Sequence, residues 1–402
     1  MALDLTSFAS ALKQHYTNDR VENMVYMDNP LLAMMPKYES FGGKNLPIPI
    51  IYGNPQGRSA SFANAQANKT SSKLKDFVLT RAKDYSLASI DNETLEASKG
   101  NANAFLEAAT VEIDGAIHSA ARSLAVAMYR TGSGSIGSVA NSSFATTTLT
   151  LNDSESVTNF EVGMTLVVSD VDGGGSVRSG TLTVAGVDRD LGTITTSANL
   201  STGISAIAQN DFIFVQGDYD AKIKGLLAWL PSTSPGGSDN FFSVNRSSDA
   251  SRLAGVRFDG SSMPIEEALI GAASRLAREG GKPDYCFMSY SKYADLEKAL
   301  GSKIQYIDMK VNAEIAFRGI QINGPRGPIK VVPDQNCPSD RAFLLQLDTW
   351  KLYSLGKAPK ILDTDGLKML RDNNADSVEI RVGYYAQLGC RAPGFNCNLK
   401  LS

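Results

Sequence analysis

"NANAFLEAATVEIDGAIHSAARSLAVAMYRTGSGSIGS", residues 101–138, is the stretch whose reading decides the fold. Leu106, Ala109, Ile113, Ile117, Ala120, Leu124 and Met128 recur at spacings of three and four, which predicts one long amphipathic helix over 102–130. At 1.5 Å rise per residue such a helix is roughly 40 Å long, enough to cross a whole domain as a spine. Gly115 in its middle costs about 1 kcal/mol against Ala, which a packed helix of this length absorbs. The last eight residues hold a complete G-x-G-x-x-G in Gly132, Gly134 and Gly137. A dinucleotide fingerprint needs a strand running into the loop and a helix leaving it, so that amide groups and the helix N-terminus face the pyrophosphate. Here a helix leads in, and the Ser/Thr-rich, strand-like "SVANSSFATTTLTL" follows. The glycines read as a joint, and no cofactor is expected.

Beyond the joint the composition changes. Residues 138–217 are poor in Lys and Leu and rich in Ser, Thr, Gly and Val; "TTTLTL", "GMTLVVSD", "GTLTVAGVD", "GTITTS" and "DFIFVQGD" read as short strands between turns. That is the pattern of a small all-β unit inserted over 135–217. After Gly225 helices and strands alternate. Pro264 opens a helix with Glu266 and Glu267 in its first turn, Arg275 and Arg278 near its end and Gly280-Gly281 beyond. "PDYCFMS" is a strand, Ser289 or Ser291 caps the helix "YADLEKAL", and "GIQINGPRGPIKVVPD" turns back on itself at Gly324–Gly327. "AFLLQLDTWKLYSL" adds strand, and the alternating "DSVEIRVGYYAQLGCRAPGFNCNLKL" returns as sheet to the spine.

Before the helix, Leu5, Phe8 and Leu12 share one face of a short amphipathic arm, and "DNPLLAMMPK" makes an apolar knot punctuated by Pro30 and Pro36. "NLPIPIIY" reads as a strand whose two prolines place it at an edge. A polar stretch leads to "LKDFVLTRAKDYSLASI", where Phe77, Leu79, Tyr85 and Leu87 share one parity. Two strands with a long polar tip form a protruding hairpin that needs another surface for support.

The totals bound the function. A chain of 402 residues, 43% hydrophobic and 20% charged, holds two or three folded domains, and a net charge of -3 gives no general grip on phosphates. The N-terminus lacks a secretory pattern, and no run approaches the about 20 apolar residues of a membrane span, so cytosolic manufacture is expected. Cys286, Cys337, Cys390 and Cys397 admit three pairings but read as reduced thiols. Only Cys390 and Cys397 lie near each other, separated by six residues, so no metal site is expected. His15 and His118 are the only histidines and lack triad partners. "DTDG" at 363–366 and the pair Glu266/Glu267 set no carboxylates at a defined separation, and no catalytic residue is assigned.

The order of parts resembles the major capsid proteins of tailed bacteriophages, which have the Hong Kong 97-type fold. The residues carrying the resemblance are "NPLLAMMPK" leading to "GG", "PIPIIYG", the helix with its exit loop, and "KPDYCFMSYSKYADLEKALG" with "GPRGPIKVVPDQNCP". In such proteins G-x-G after the spine precedes a Gly-Ile-like pair; Gly132-Ser133-Gly134 and Gly225-Leu226 fit, with the β unit between. The resemblance implies an α+β, Hong Kong 97-like fold. Its parts would be an N-terminal arm (1–37), an extended hairpin (38–92), a spine helix (93–134), the inserted β domain (135–217), an axial α/β domain with parts of the peripheral domain (218–375) and C-terminal peripheral strands (376–402).

It further implies a self-assembling shell subunit and not an enzyme. Pentamers and hexamers would enclose double-stranded DNA in an icosahedral head, assembled in the host cytoplasm, with scaffolding, portal and decoration proteins as partners. No acidic helical propeptide precedes the arm, which points to a separate scaffold. No Lys, Asn and Glu set matches the isopeptide crosslink of some relatives, although Lys69 lies near the hairpin tip. Leu5, Phe8, Leu12, Ile48, Ile50, Phe77 and Leu79 are candidates for contacts between subunits, or for packing within their own. An encapsulin-like compartment and a tail or receptor-binding protein are the competing readings.

Overall fold

A computed structural model describes residues 24–91, 93, 102–301, 304–310, 316–363, 370–372 and 375–402, with residues 102–109 described as helix backbone. The arm residues Leu5, Phe8 and Leu12 lie outside the described residues. The long helix runs Ala102–Tyr129. Its apolar stripe is buried at Ile113, Ile117, Ala120, Leu124 and Met128, against the strands Ala82–Asp91 and Ser377–Cys390. These two strands pair antiparallel from Ala82 opposite Ala386 to Asp91 opposite Ser377. Trp350–Ser354, Lys360–Ile361 and Leu370–Arg371 line the other side of Ser377–Cys390, and Lys37–Tyr38 extends the sheet.

The knot folds as the short helix Pro30–Met34, with Leu31, Leu32 and Met35 buried. Buried Asp334 fastens it. Its carboxylate accepts hydrogen bonds from the Leu31 amide at 3.2 Å, the Tyr129 hydroxyl at 2.9 Å and the Asn336 amide at 2.9 Å. Burial raises the Asp334 pKa, and these donors work against the rise.

A second sheet of seven strands runs Val256–Asp259, Cys397–Lys400, Arg341–Leu345, Tyr285–Met288, Gly327–Pro333, Ala316–Gly324 and Tyr306–Lys310 in spatial order. The helix Ile265–Glu279 packs on it through Ala268, Leu269, Ala272 and Leu276, and ends at Gly280 with φ +96°. Ser289 caps the helix Tyr290–Leu300 by accepting the Lys292 amide. Ser377–Cys390 runs beside the long helix, but Cys397–Lys400 crosses into this second sheet. The 376–402 stretch therefore does not stay with one layer; the turn Pro393–Phe395 redirects it.

The third sheet draws all six strands from residues 135–215, ordered Ser135–Ser138, Phe212–Val215, Thr165–Ser169, Leu182–Asp188, Thr193–Thr196 and Thr148–Thr150. It has its own core of Val139, Phe160, Leu166, Leu182, Ile194 and Ile213. Gly132 and Gly134 adopt φ +90° and +89° where the chain enters this unit, and a Cβ on Gly134 would run into the Asp218 carbonyl of the departing chain. Close approach of two backbones explains these glycines. Gly137 lies within the first strand.

The hairpin pairs Asn45–Gly53 with Lys73–Thr80, Ile48 opposite Phe77. Pro47 and Pro49 face outward beside Ile51. One expectation fails here: Phe77 and Leu79 are buried, whereas Tyr85 and Leu87 are exposed. The run breaks at Arg81, so Lys73–Thr80 pairs within the hairpin and Ala82–Asp91 pairs with Ser377–Cys390. With a new partner sheet the inward parity passes to Ala88 and Ile90.

Candidate functional site

Three elements meet where the inserted sheet leaves the body. Lys222, on the segment that follows the insertion, is only 8% exposed and sits between two carboxylates. Its Nζ lies 2.6 Å from Asp84 Oδ2 on the strand Ala82–Asp91 and 3.0 Å from Asp218 Oδ2. It also donates to Ser123 Oγ of the long helix at 3.0 Å, and Ser123 donates to Asp84 at 2.6 Å. Burial raises the Asp218 pKa, with Lys222 pulling the other way. Asp220 donates its amide to the Ser133 carbonyl at 2.7 Å, and Asp172 accepts from the hydroxyls of Thr131 and Ser133. The ammonium is matched by carboxylates and hydroxyls, so the cluster acts as a strap between sheet, helix and insertion.

Beside the strap, a groove of about 490 Å³ opens between the long helix and the inserted sheet. Val126, Ile136, Met164 and Val215 give it an apolar lining, and its charged groups are balanced, Asp84, Glu161 and Asp218 against Arg122, Arg130 and Lys222. Glu161 is held by Arg189 at 2.9 Å, and Val162 and Leu191 stand exposed beside this pair. The inserted stretch is strongly acidic. Asp153, Glu155, Glu161, Asp170, Asp172, Asp188, Asp190 and Asp211 face only Arg178 and Arg189 over residues 135–217.

The hairpin is its opposite in charge. Residues 40–75 contain Lys44, Arg58, Lys69, Lys73 and Lys75 and not one acidic residue. Ile48, Ile50, Phe77 and Leu79 are buried in the chain's own core, where Phe77 lies against Trp229 with centroids 4.9 Å apart. Of the two readings given to these four side chains, packing within the subunit is the one the structure shows, because the inward face of the hairpin rests on residues 229–242. The outward face presents Ile51 and Leu74 instead. At the tip, the helix Phe62–Ala67 buries none of its residues, and Phe62 is 83% exposed. The sequence signal for Phe62 was a lone aromatic inside the otherwise small and polar "SASFANAQANKT".

Groups that would carry chemistry are scattered. All four cysteines are free and buried; burial pushes the Cys390 and Cys397 thiols up to about 12. His118 is exposed on the long helix, His15 lies outside the described residues, and so does most of "DTDG". Among the described residues no three His, Cys, Asp or Glu side chains converge to hold a metal, and no helix is long and apolar enough to cross a membrane.

A long helix crossing one sheet, a seven-stranded second sheet and a projecting hairpin define the Hong Kong 97-like fold. Among solved structures, the chain is similar to the capsid asymmetric unit of cyanophage A-1(L), with 12% identity over 93% of this chain and 92% of that one, at a TM-score of 0.53. It is also similar to the capsid of a native GTA particle, with 8% identity, 92% and 89% coverage and a TM-score of 0.44. The satellite phage P4 procapsid, which includes a size determination protein, matches with 11% identity, 99% and 97% coverage and a TM-score of 0.41. A comparison with curated proteins finds no match. Residues 199–376 match the family described as SU10 major capsid protein. The stretch matched is less than half of the chain, and what the whole chain shares with the cyanophage capsid unit is the fold.

Proposed function

We propose that copies of this chain close into an icosahedral head built of pentamers and hexamers that encloses the double-stranded DNA of a tailed phage, assembled in the host cytoplasm. The observation that supports this best is the hairpin, which carries an exposed aromatic and an acid-free basic tip away from the chain's own core. Stable association buries about 1,600 Å² in a typical interface, and projecting elements supply such area to several neighbours. Leu5, Phe8 and Leu12 of the arm are proposed as further contacts. A chain with 39 basic and 42 acidic residues encloses DNA without binding it to the wall. Scaffolding, portal and decoration proteins are the proposed partners.

Negative-stain electron microscopy of the purified chain, alone and with the phage's other head proteins, tests the reading. Shells, tubes or rings of five and six subunits are expected; a monomer under both conditions would remove the basis for it.

Residues 135–217 are proposed as an inserted domain facing outward, either stabilising the capsomer or receiving a decoration protein. Entry and exit lie against each other at Gly134 and Asp218, so a short Gly/Ser linker spans the gap at small entropic cost. The shortened chain is expected to keep the circular dichroism and cooperative unfolding of the remaining body. Collapse of the seven-stranded sheet in that variant would show that the stretch is no insertion.

A further inference from the structure

We propose that the inserted β unit is a hinged body that swings onto the long helix, drawn closed by Arg122 and Arg130 of the helix as they pair with Glu161 and Asp153. The inference concerns the single chain and goes beyond the assembly reading. Three independent features converge on it.

The first is a row of polar contacts that stop short. The segment 153–161 of the unit meets the helix at two points, and both contacts are long. Arg130 Nη2 is 3.4 Å from Ser156 Oγ, and Arg122 Nη1 is 3.7 Å from Glu161 Oε1. Among the described residues the Nε–H of each arginine is shut off from solvent and has no hydrogen-bond partner. A buried donor left unpaired disfavours the arrangement that holds it, the more so on a charged group. Asp153 stands one step behind Ser156, whose hydroxyl it accepts at 3.0 Å. One displacement of 153–161 toward the helix therefore brings a carboxylate to each guanidinium, and a planar fork pairs with a carboxylate through two bonds. Burial lowers the pKa of both arginines; Glu161 opposes this most at Arg122, and Asp153 at Arg130.

The second is room. The groove of about 490 Å³ has Arg122, Val126 and Arg130 on its helix wall and Ile136, Glu161 and Met164 on the wall of the unit. Its third cation, Lys222, is already matched by Asp84 and Asp218, so the arginines are the ones with bonds still to make. On the far side of the unit a cleft of about 410 Å³ separates Ser138, Asp153 and Phe212 from Leu227, Pro338 and Arg341 of the body. Space on both sides lets the unit tilt. Closing the groove also covers the half-buried Ile136 and Met164, which favours the swing.

The third is a pivot. The core of the unit runs from Val139 to Ile213 and is drawn from its own residues, so the unit moves as one body. Its two connections to the rest of the chain lie against each other, with Gly134 at φ +89° and Gly217 at φ +93°. Glycine turns there where a side chain would resist. The strap of Lys222, Asp84 and Asp218 fixes the foot just beyond Gly217, and a few residues at the ends of elements are what hinges are made of.

Distances between two spin labels test this on the full-length chain. Leu191→Cys on the unit and Val111→Cys on the long helix replace exposed side chains, and the four native thiols are buried and stay unlabelled. Diluting labelled chains in unlabelled ones leaves only the pair within one copy. Pulsed electron resonance is expected to give two distance populations, one for the open unit and one for the closed. Raising the salt should deplete the closed population, because ion pairs are screened. Arg122→Gln with Arg130→Gln should deplete the same one, lowering its ratio to the other about tenfold or more. Glu161→Gln, which changes only an exposed side chain, should shift the ratio the same way by less, and it serves where the double variant fails to fold. A single narrow distance at every salt concentration would overturn the hinge. Two populations that ignore both the salt and the substitutions would overturn the part given to the arginines. Whether the chain forms shells is read separately by microscopy and is not decided by either result.

Discussion

Lys222→Met lowers the stability of the folded chain by about 3–5 kcal/mol at pH 7, the usual cost of stripping one partner from a buried ion pair. Among the described residues the lysine is the only cation within 3.0 Å of both Asp84 and Asp218, and its removal leaves two carboxylates sharing one poorly hydrated site. Ser123 and the Tyr384 hydroxyl, 3.4 Å from Asp84, supply hydrogen bonds but no charge. The effect has a definite pH dependence. Burial raises the pKa of Asp218 in the folded chain, so the fold binds its proton more readily than the unfolded chain does. That contribution is fully present below the ordinary aspartate value of about 3.9 and is lost as pH rises through the raised folded value. Without the lysine the folded value climbs further. The penalty of Lys222→Met therefore shrinks as pH falls from 7 toward 4, as Asp218 takes up a proton. Urea unfolding of wild type and variant at both pH values measures it. An equal penalty at the two would mean that lost packing, not charge, is responsible.

The strap also illustrates what a linear sequence conceals. Lys222 and Asp84 lie 138 positions apart, and Asp334 reaches Leu31 across 303. Neither pairing leaves a periodic trace. The long helix was legible because its apolar positions keep step over seven turns, and the Gly324–Gly327 hairpin because turn chemistry is local. The short strands of 135–215 were legible for the same reason, since each alternates between turn residues.

Strand parity was misread across Arg81 because alternation distinguishes two faces without saying which is inside. The partner sheet decides, and it changes there from Asn45–Gly53 to Ser377–Cys390. The same limit applied to Ile48, Ile50, Phe77 and Leu79: an apolar face was visible, but whether its cover came from the same chain depended on Trp229, Phe241 and Phe242, far away in sequence. Phe62 was passed over because a single aromatic has no period. It stands out only once the other aromatics of the hairpin are seen to be covered.

That cover is the basis for the second large effect. Trp229→Ala is expected to cost about 3–5 kcal/mol, as for other large-to-small changes in a packed core. Trp229 is fully buried, with ring centroids 4.9 Å from Phe77, 5.0 Å from Phe241, 5.6 Å from Phe242 and 6.2 Å from Trp350. Its indole N–H donates to the Leu388 carbonyl at 3.1 Å, a bond that alanine leaves unmade. The distribution of the loss matters more than its size. Phe77 belongs to a hairpin of two strands, and such a unit holds its shape in water only when supported. Amide exchange should therefore accelerate most in Asn45–Gly53 and Lys73–Thr80 and least in the separate core of the inserted sheet. Trp229→Phe, which keeps an aromatic against Phe77, should restore much of the hairpin's protection while still lacking the bond to Leu388. If exchange in the hairpin stayed at its wild-type rate in the alanine variant, the hairpin would owe its position to its backbone bonds instead. The Val78 amide to the Phe242 carbonyl and Arg252 to the Tyr52 carbonyl would then be the next contacts to remove. Acceleration confined to the hairpin would mean that a core residue outside it sets the stiffness with which the hairpin projects.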